Sequence, residues 1–135
     1  MGMYTELIFE AELSKDTPKG LIDAFTTVSR KDTGIEVTSN KLEISKFIEK
    51  FDLNMLVNCC SAYFPAQQSF FNMYYNKYSD TYGIFIRSDL KNYEQQINEF
   101  LEFIKPYVVR GCGSNNVYAH VLYELDEQPT IYSLK

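Results

Sequence analysis

The sequence predicts an α+β domain in which a mainly antiparallel sheet of about five or six strands carries helices on one face. Two aromatic-rich stretches are the first reason. Phe71, Met73 and Tyr75 alternate with Phe70, Asn72 and Tyr74, while Tyr82, Ile84 and Ile86 alternate with Gly83, Phe85 and Arg87. Both runs have the period of a strand, and the polar, turn-prone residues 76–81 between them make an antiparallel hairpin. A capped amphipathic stretch follows directly and is the second reason. Asn92 stands at an N-cap position with Gln95 three residues on; Tyr93, Ile97, Phe100, Leu101 and Ile104 recur at helical spacing until Pro106. The third is that further strand patterns stand at both ends of the chain, giving the order β-α-α-β-β-β-α-β-β.

In residues 4–13, Thr5, Leu7, Phe9, Ala11 and Leu13 fall on one side and Tyr4, Glu6, Ile8, Glu10 and Glu12 on the other. That is a strand with one face on a core and one toward water. Thr17 offers an N-cap and Pro18 a first helical position, where its missing N–H costs nothing. Leu21, Ile22, Phe25 and Val28 then form a helical stripe, broken by Lys31, Asp32, Thr33 and Gly34. After a short Ile35/Val37 alternation, Leu42, Ile44, Phe47, Ile48 and Phe51 resume helical spacing behind Ser39 or Asn40 as cap. Residues 55–64 are rich in strand formers and read as a strand of open parity, ended by Pro65. Beyond the hairpin and its helix, residues 110–116 form a loop. Val117, Ala119, Val121 and Tyr123 alternate with Tyr118, His120, Leu122 and Glu124; Glu127, Gln128 and Pro129 turn the chain into an edge strand over 130–134. Helices on one sheet face would cover the parities of Leu7, Phe71, Ile84 and Val121.

At 135 residues the chain reads as one domain, 1–135, able to bury a core without metal or disulfide staples. A 45% hydrophobic and 23% charged composition describes a soluble globular chain. Eleven Tyr and ten Phe with no Trp favour strands and contact surfaces. The net charge of −5 disfavours direct nucleic-acid binding, which draws its affinity from Lys and Arg. Cys59, Cys60 and Cys112 are odd in number and no signal-like segment precedes them, which points to a reduced, cytoplasmic protein. No apolar run approaches the roughly 20 residues that cross a bilayer, so no membrane partner is expected.

Three pieces carry a resemblance: Met3-Tyr4-Thr5-Glu6 with Lys15-Asp16-Thr17-Pro18, Arg87 with Leu90-Lys91-Asn92-Tyr93, and Asp126-Glu127-Gln128-Pro129-Thr130-Ile131-Tyr132. With these the chain resembles small uncharacterised proteins encoded by phages and prophages of Gram-positive bacteria. Residues 30–53 depart from that pattern and read as a variable insertion. The resemblance implies a phage-borne accessory protein without established catalytic residues, of a kind that binds host or defence proteins.

With helices on one side of the sheet, the other face carries Ile8, Phe70, Tyr74, Phe85, Arg87, Tyr118, His120 and Leu122 by parity. Aromatic residues with an Arg are the enriched composition of protein interfaces, so Phe70, Tyr74, Phe85, Arg87, Tyr118 and His120 are the partner-binding candidates. The occupant is a protein partner, a second copy of the chain, or simply a covering loop. Adjacent Cys59 and Cys60 read as buried thiols rather than a redox pair. A Cys112/His120 nucleophile pair is the enzymatic alternative, and no ligand spacing supports a metal. The Gly111-Cys112-Gly113-Ser114 run leads from a helix into a strand, the reverse of a phosphate loop. No cofactor is expected. The leading expectation is a non-enzymatic binding protein; the alternative is a small-molecule binder with a pocket between the sheet and residues 30–53.

Overall fold

The computed structural model describes residues 3–29, 33–59, 63–66 and 68–135. Its elements are β1 (Thr5–Ser14), α1 (Lys19–Val28), α2 (Lys41–Lys50), a 3-10 turn (Leu53–Val57), β2 (Phe70–Asn76), β3 (Thr81–Leu90), α3 (Gln96–Ile104), a second 3-10 turn (Lys105–Tyr107), β4 (Val108–Arg110), β5 (Val117–Tyr123) and β6 (Thr130–Ser133). The α+β class is as the alternation requires. The sheet has six strands in the order β2-β3-β1-β5-β6, with β4 also paired to β1, and every pairing is antiparallel.

β1 is central because one of its faces, Thr5, Leu7, Phe9, Ala11 and Leu13, is buried throughout and apolar after Thr5. Leu7, Phe9 and Leu13 are fully buried, and opposite them β3 sets Ser88, Ile86 and Tyr82. Phe71 and Met73 of β2 extend the same layer beyond Ile86 and Ile84, and Val121 and Ala119 of β5 extend it on the other side. The helices lie on this odd-numbered face. Leu21, Ile22 and Phe25 of α1 and Ile97, Phe100, Leu101 and Ile104 of α3 are buried. Edge-on contacts of Phe100 with Phe9 at 5.7 Å and with Phe25 at 6.3 Å tie both helices to the sheet. Each such ring, fully buried, contributes about 2–3 kcal/mol.

Local chemistry sets the ends of the elements. Asn76 Oδ1 accepts from the backbone N–H groups of Tyr78 and Ser79, and Asp80 takes the left-handed conformation at φ 54°, closing the β2–β3 hairpin. Asn40 caps α2, accepting from the Glu43 N–H at 2.8 Å. Pro18 stands one residue before α1, and its carbonyl accepts from Leu21 and Ile22. α3 begins at Gln96, later than Asn92 predicts, because Gln95 is left-handed at φ 59°; Asn92 still caps it, reaching forward to the Ile97 N–H at 3.0 Å. Tyr93 thereby leaves the helix and is 70% exposed.

The strand expected over residues 55–64 is corrected: Leu53–Val57 is a 3-10 turn that buries Leu53, Met55, Leu56 and Val57. Hydrophobic residues in succession satisfied a strand reading, but a one-turn plug packed beside β3 buries them equally well. Cys59 keeps a single bridge to Asp89; Cys60, and with it the paired-thiol reading, lies outside the described residues. Conversely, Arg110, expected as the first residue of a loop, is the last residue of β4, which pairs with the end of β1.

The described part of the expected insertion, residues 33–53, is anchored to α1. Asp23, fully buried, accepts from the backbone N–H groups of Ser39 at 2.7 Å and Thr38 at 3.2 Å and pairs with Lys19 at 3.0 Å. Burial opposes its ionisation, but the Ser39 and Lys19 interactions outweigh this and hold its carboxyl below the usual value. Gly20 allows α2 to approach: a β-carbon there would meet Glu43 Cγ at 2.6 Å and Phe47 Cε2 at 2.9 Å. Phe51 then packs on Phe103 of α3 at 4.7 Å. A cavity of about 360 Å³ lies between Phe51 and Phe103, with Lys50, Glu99 and Glu102 completing its lining on the α3 side.

Candidate functional site

The even-numbered face of the sheet is the side without helices. Cross-strand pairing sets Arg87, Ile8, His120 and Ile131 in one row, Asn72, Phe85 and Glu10 in the next, and Tyr74, Gly83, Glu12 and Arg110 in a third. Phe70 and Tyr74 are 41% and 49% exposed, while Phe85, His120, Ile8 and Leu122 are half-buried. These six residues stand on the face the alternation assigned to them. Ile131 of β6, 56% exposed, extends the patch past His120.

Two expected anchors are not surface residues. Tyr118 is only 3% exposed and meets the rings of Phe9 at 6.2 Å and Tyr132 at 6.4 Å, on the core side. The cause is a bulge. Val117 pairs with Ser133 and Ala119 with Tyr132, so β5 spends one residue more than β6 there, and Tyr118 turns to the side of Ala119. Burial pushes its phenol up from the usual value.

Arg87 is 4% exposed and is held as part of an ion cluster. Its Nε and Nη2 donate to Glu6 Oε2 at 3.0 and 2.6 Å, and its Nη1 donates to Asp89 Oδ2 at 2.7 Å. Nη1 also reaches the Gln68 carbonyl at 3.5 Å and Cys59 Sγ at 3.8 Å, and the Phe64 ring lies 5.9 Å from the guanidinium carbon. Burial alone would depress its pKa, but the two carboxylates reverse this and raise it. Arg87 therefore fastens Phe64 and Gln68 over this end of the face. Asp89 is fully buried, whereas the Glu6 side chain keeps 17% exposure, so the cluster's surplus negative charge stays in contact with water.

At the opposite end the face opens into a groove of about 300 Å³, lined by Glu10, Glu12, Tyr74, Phe85, Arg110 and Cys112 among others. Gly83 makes it. A β-carbon at Gly83 would lie 2.4 Å from Cε1 and Cζ of Tyr74, so the ring rests directly on the glycine backbone. Glu12 is engaged by Arg110 Nη1 at 3.2 Å and by the Thr81 hydroxyl at 3.3 Å. Among the described residues Glu10 is in no ion pair. Sequence reasoning missed Glu10, Glu12 and Arg110 as one site, although a glycine inside a strand pattern is the signal of a close approach.

Cys112 is exposed on the rim of this groove. Burial of its sulfur and a hydrogen bond with Glu10 raise its pKa above the model-compound value of 9.0, which leaves the protonated thiol, a poor nucleophile, at neutral pH. Among the described residues His120 makes no hydrogen bond to it; His120 faces Ile8 and Ile131 instead. Among the described residues no group of three or more His, Cys, Asp or Glu is arranged so that it could hold a metal ion. Nor, among them, is any helix long and apolar enough to cross a membrane.

Compared with protein-family models, curated proteins and solved structures, the chain matches none.

Proposed function

We propose that this chain is a non-enzymatic binding protein that docks a basic protein surface on the helix-free face of its sheet. The observation that carries the reading is the run of Tyr74, Phe85, Ile8, His120, Leu122 and Ile131 across five strands, bordered by Glu10 and Glu12. A patch of that composition is seldom left bare in a monomer. Charge selects the occupant. The chain carries −5 overall, so a second copy presenting the same acidic face would be repelled and a basic partner attracted. The resemblance to phage proteins makes a bacterial defence factor the partner class to test first.

The test is affinity capture from a Gram-positive host lysate with the wild type and with an Ile8→Ser/His120→Ala variant, each shown folded by circular dichroism. A stoichiometric partner held by the wild type, weakened by added salt and lost in the variant, is the expected result. Equal capture by both would remove this face from the reading.

A further inference from the structure

We propose that the groove walled by Tyr74, Phe85 and residues 110–113 receives one basic side chain of the docked partner, an arginine before a lysine, with Glu10 as its counter-charge. The inference names the contact chemistry of the docking reading and rests on it for the partner, but the groove can be tested without one.

The groove's own chain shows what it accommodates. The Arg110 guanidinium lies at its rim, 71% exposed, paired with Glu12. That uses one of the two β1 carboxylates in the lining; Glu10, exposed and adjacent to Phe85, has no cationic partner among the described residues. Tyr74 presents a ring whose inner side is fixed against Gly83 and whose remaining surface is 49% exposed. A carboxylate beside aromatic faces attracts a cation twice, by charge and by the ring quadrupole. The planar guanidinium can stack and pair with a carboxylate together, which an ammonium does less well. At about 300 Å³ the space sits at the lower limit of small-molecule pockets and suits a single side chain.

The experiment is amide-shift titration of the full chain with a blocked pentapeptide carrying one central arginine, and with its citrulline counterpart, which keeps the shape and lacks the charge. Saturating shifts at the Gly83, Phe85 and Cys112 amides are expected with arginine, with binding about tenfold weaker for citrulline. Glu10→Gln should bring the arginine peptide to the citrulline level. Equal binding of the two peptides, shifts confined to other surfaces, or an unchanged Glu10→Gln variant would each overturn the inference. Concentration-dependent shifts of these amides without peptide would also overturn it, assigning the groove to a second copy. Because Ile8 and His120 do not line the groove, loss of capture in their variant alongside a silent groove would leave docking standing and remove this inference alone.

Discussion

Replacing Arg87 by methionine should destabilise the domain more than an exposed ion pair ever could. In the native cluster each carboxylate gains about 4 kcal/mol from the guanidinium at an effective dielectric near 20, and most of that is offset by the desolvation of three charges. The net worth of the cluster is therefore small, but the cost of breaking it is not. Methionine fills much of the arginine volume and leaves Asp89, fully buried, without its guanidinium partner and facing Glu6. Removing one partner from a buried ion pair costs about 3–5 kcal/mol, a large part of the roughly 5–15 kcal/mol that holds a domain of this size. At about 3–4 °C per kcal/mol the melting temperature should fall by roughly 10–20 °C. Urea unfolding is the assay, with an unchanged slope showing that stability and not compactness has moved. Adding Asp89→Asn to the same chain removes the buried charge that faced the guanidinium and should recover about half of the loss. A loss below about 1 kcal/mol for Arg87→Met, or no recovery in the double variant, would refute the reasoning and mean that the cluster is solvated.

Two further outcomes follow from single contacts. Asp23 has a lowered folded pKa, so its contribution is present above the unfolded value near 3.8 and is lost as pH falls through the folded one. Asp23→Asn should therefore cost about 1–3 kcal/mol at neutral pH and flatten the acid limb of a stability-against-pH curve; an unaltered limb would show that Asp23 does not hold residues 38–39. Gly83→Ala should force the Tyr74 ring off its seat, costing about 1 kcal/mol and moving the Tyr74 ring resonances, whereas unmoved resonances would mean the ring does not rest there.

The fold was legible where one period governed a whole element. β1 alternates without exception over its apolar face, and its register with β3 runs unbroken from Thr5 with Leu90 to Ser14 with Thr81. Residues 55–64 were not legible, because a short apolar run has no period long enough to separate a strand from a 3-10 plug. Tyr118 failed for a different reason: alternation assumes one residue per partner, and the β5 bulge breaks that count at the position where the ring turns inward. Arg87 was assigned to the correct face of the sheet but with the wrong exposure. Its burial depends on Phe64 and Gln68 lying over it, a long-range event that no local pattern encodes.

The even positions of β1 show how one repeated residue type acquires three fates from its neighbours. Glu6 meets Arg87 at the covered end and is used in neutralising a buried charge. Glu12 meets Arg110, and the pairing helps to hold β4 against the end of β1. Glu10 stands between them, opposite Phe85, where β3 offers a ring and no cation. A Glu10→Gln change should therefore leave stability within about 0.5 kcal/mol, as for an ordinary surface position, whereas loss of Glu6 would take from Arg87 Nε and Nη2 their carboxylate acceptor and leave Asp89 as its ion-pair partner. A carboxylate with little part in holding the fold, placed beside exposed rings, is free to serve recognition, and this is why binding is assigned to the open end of the face and structural support to the closed one.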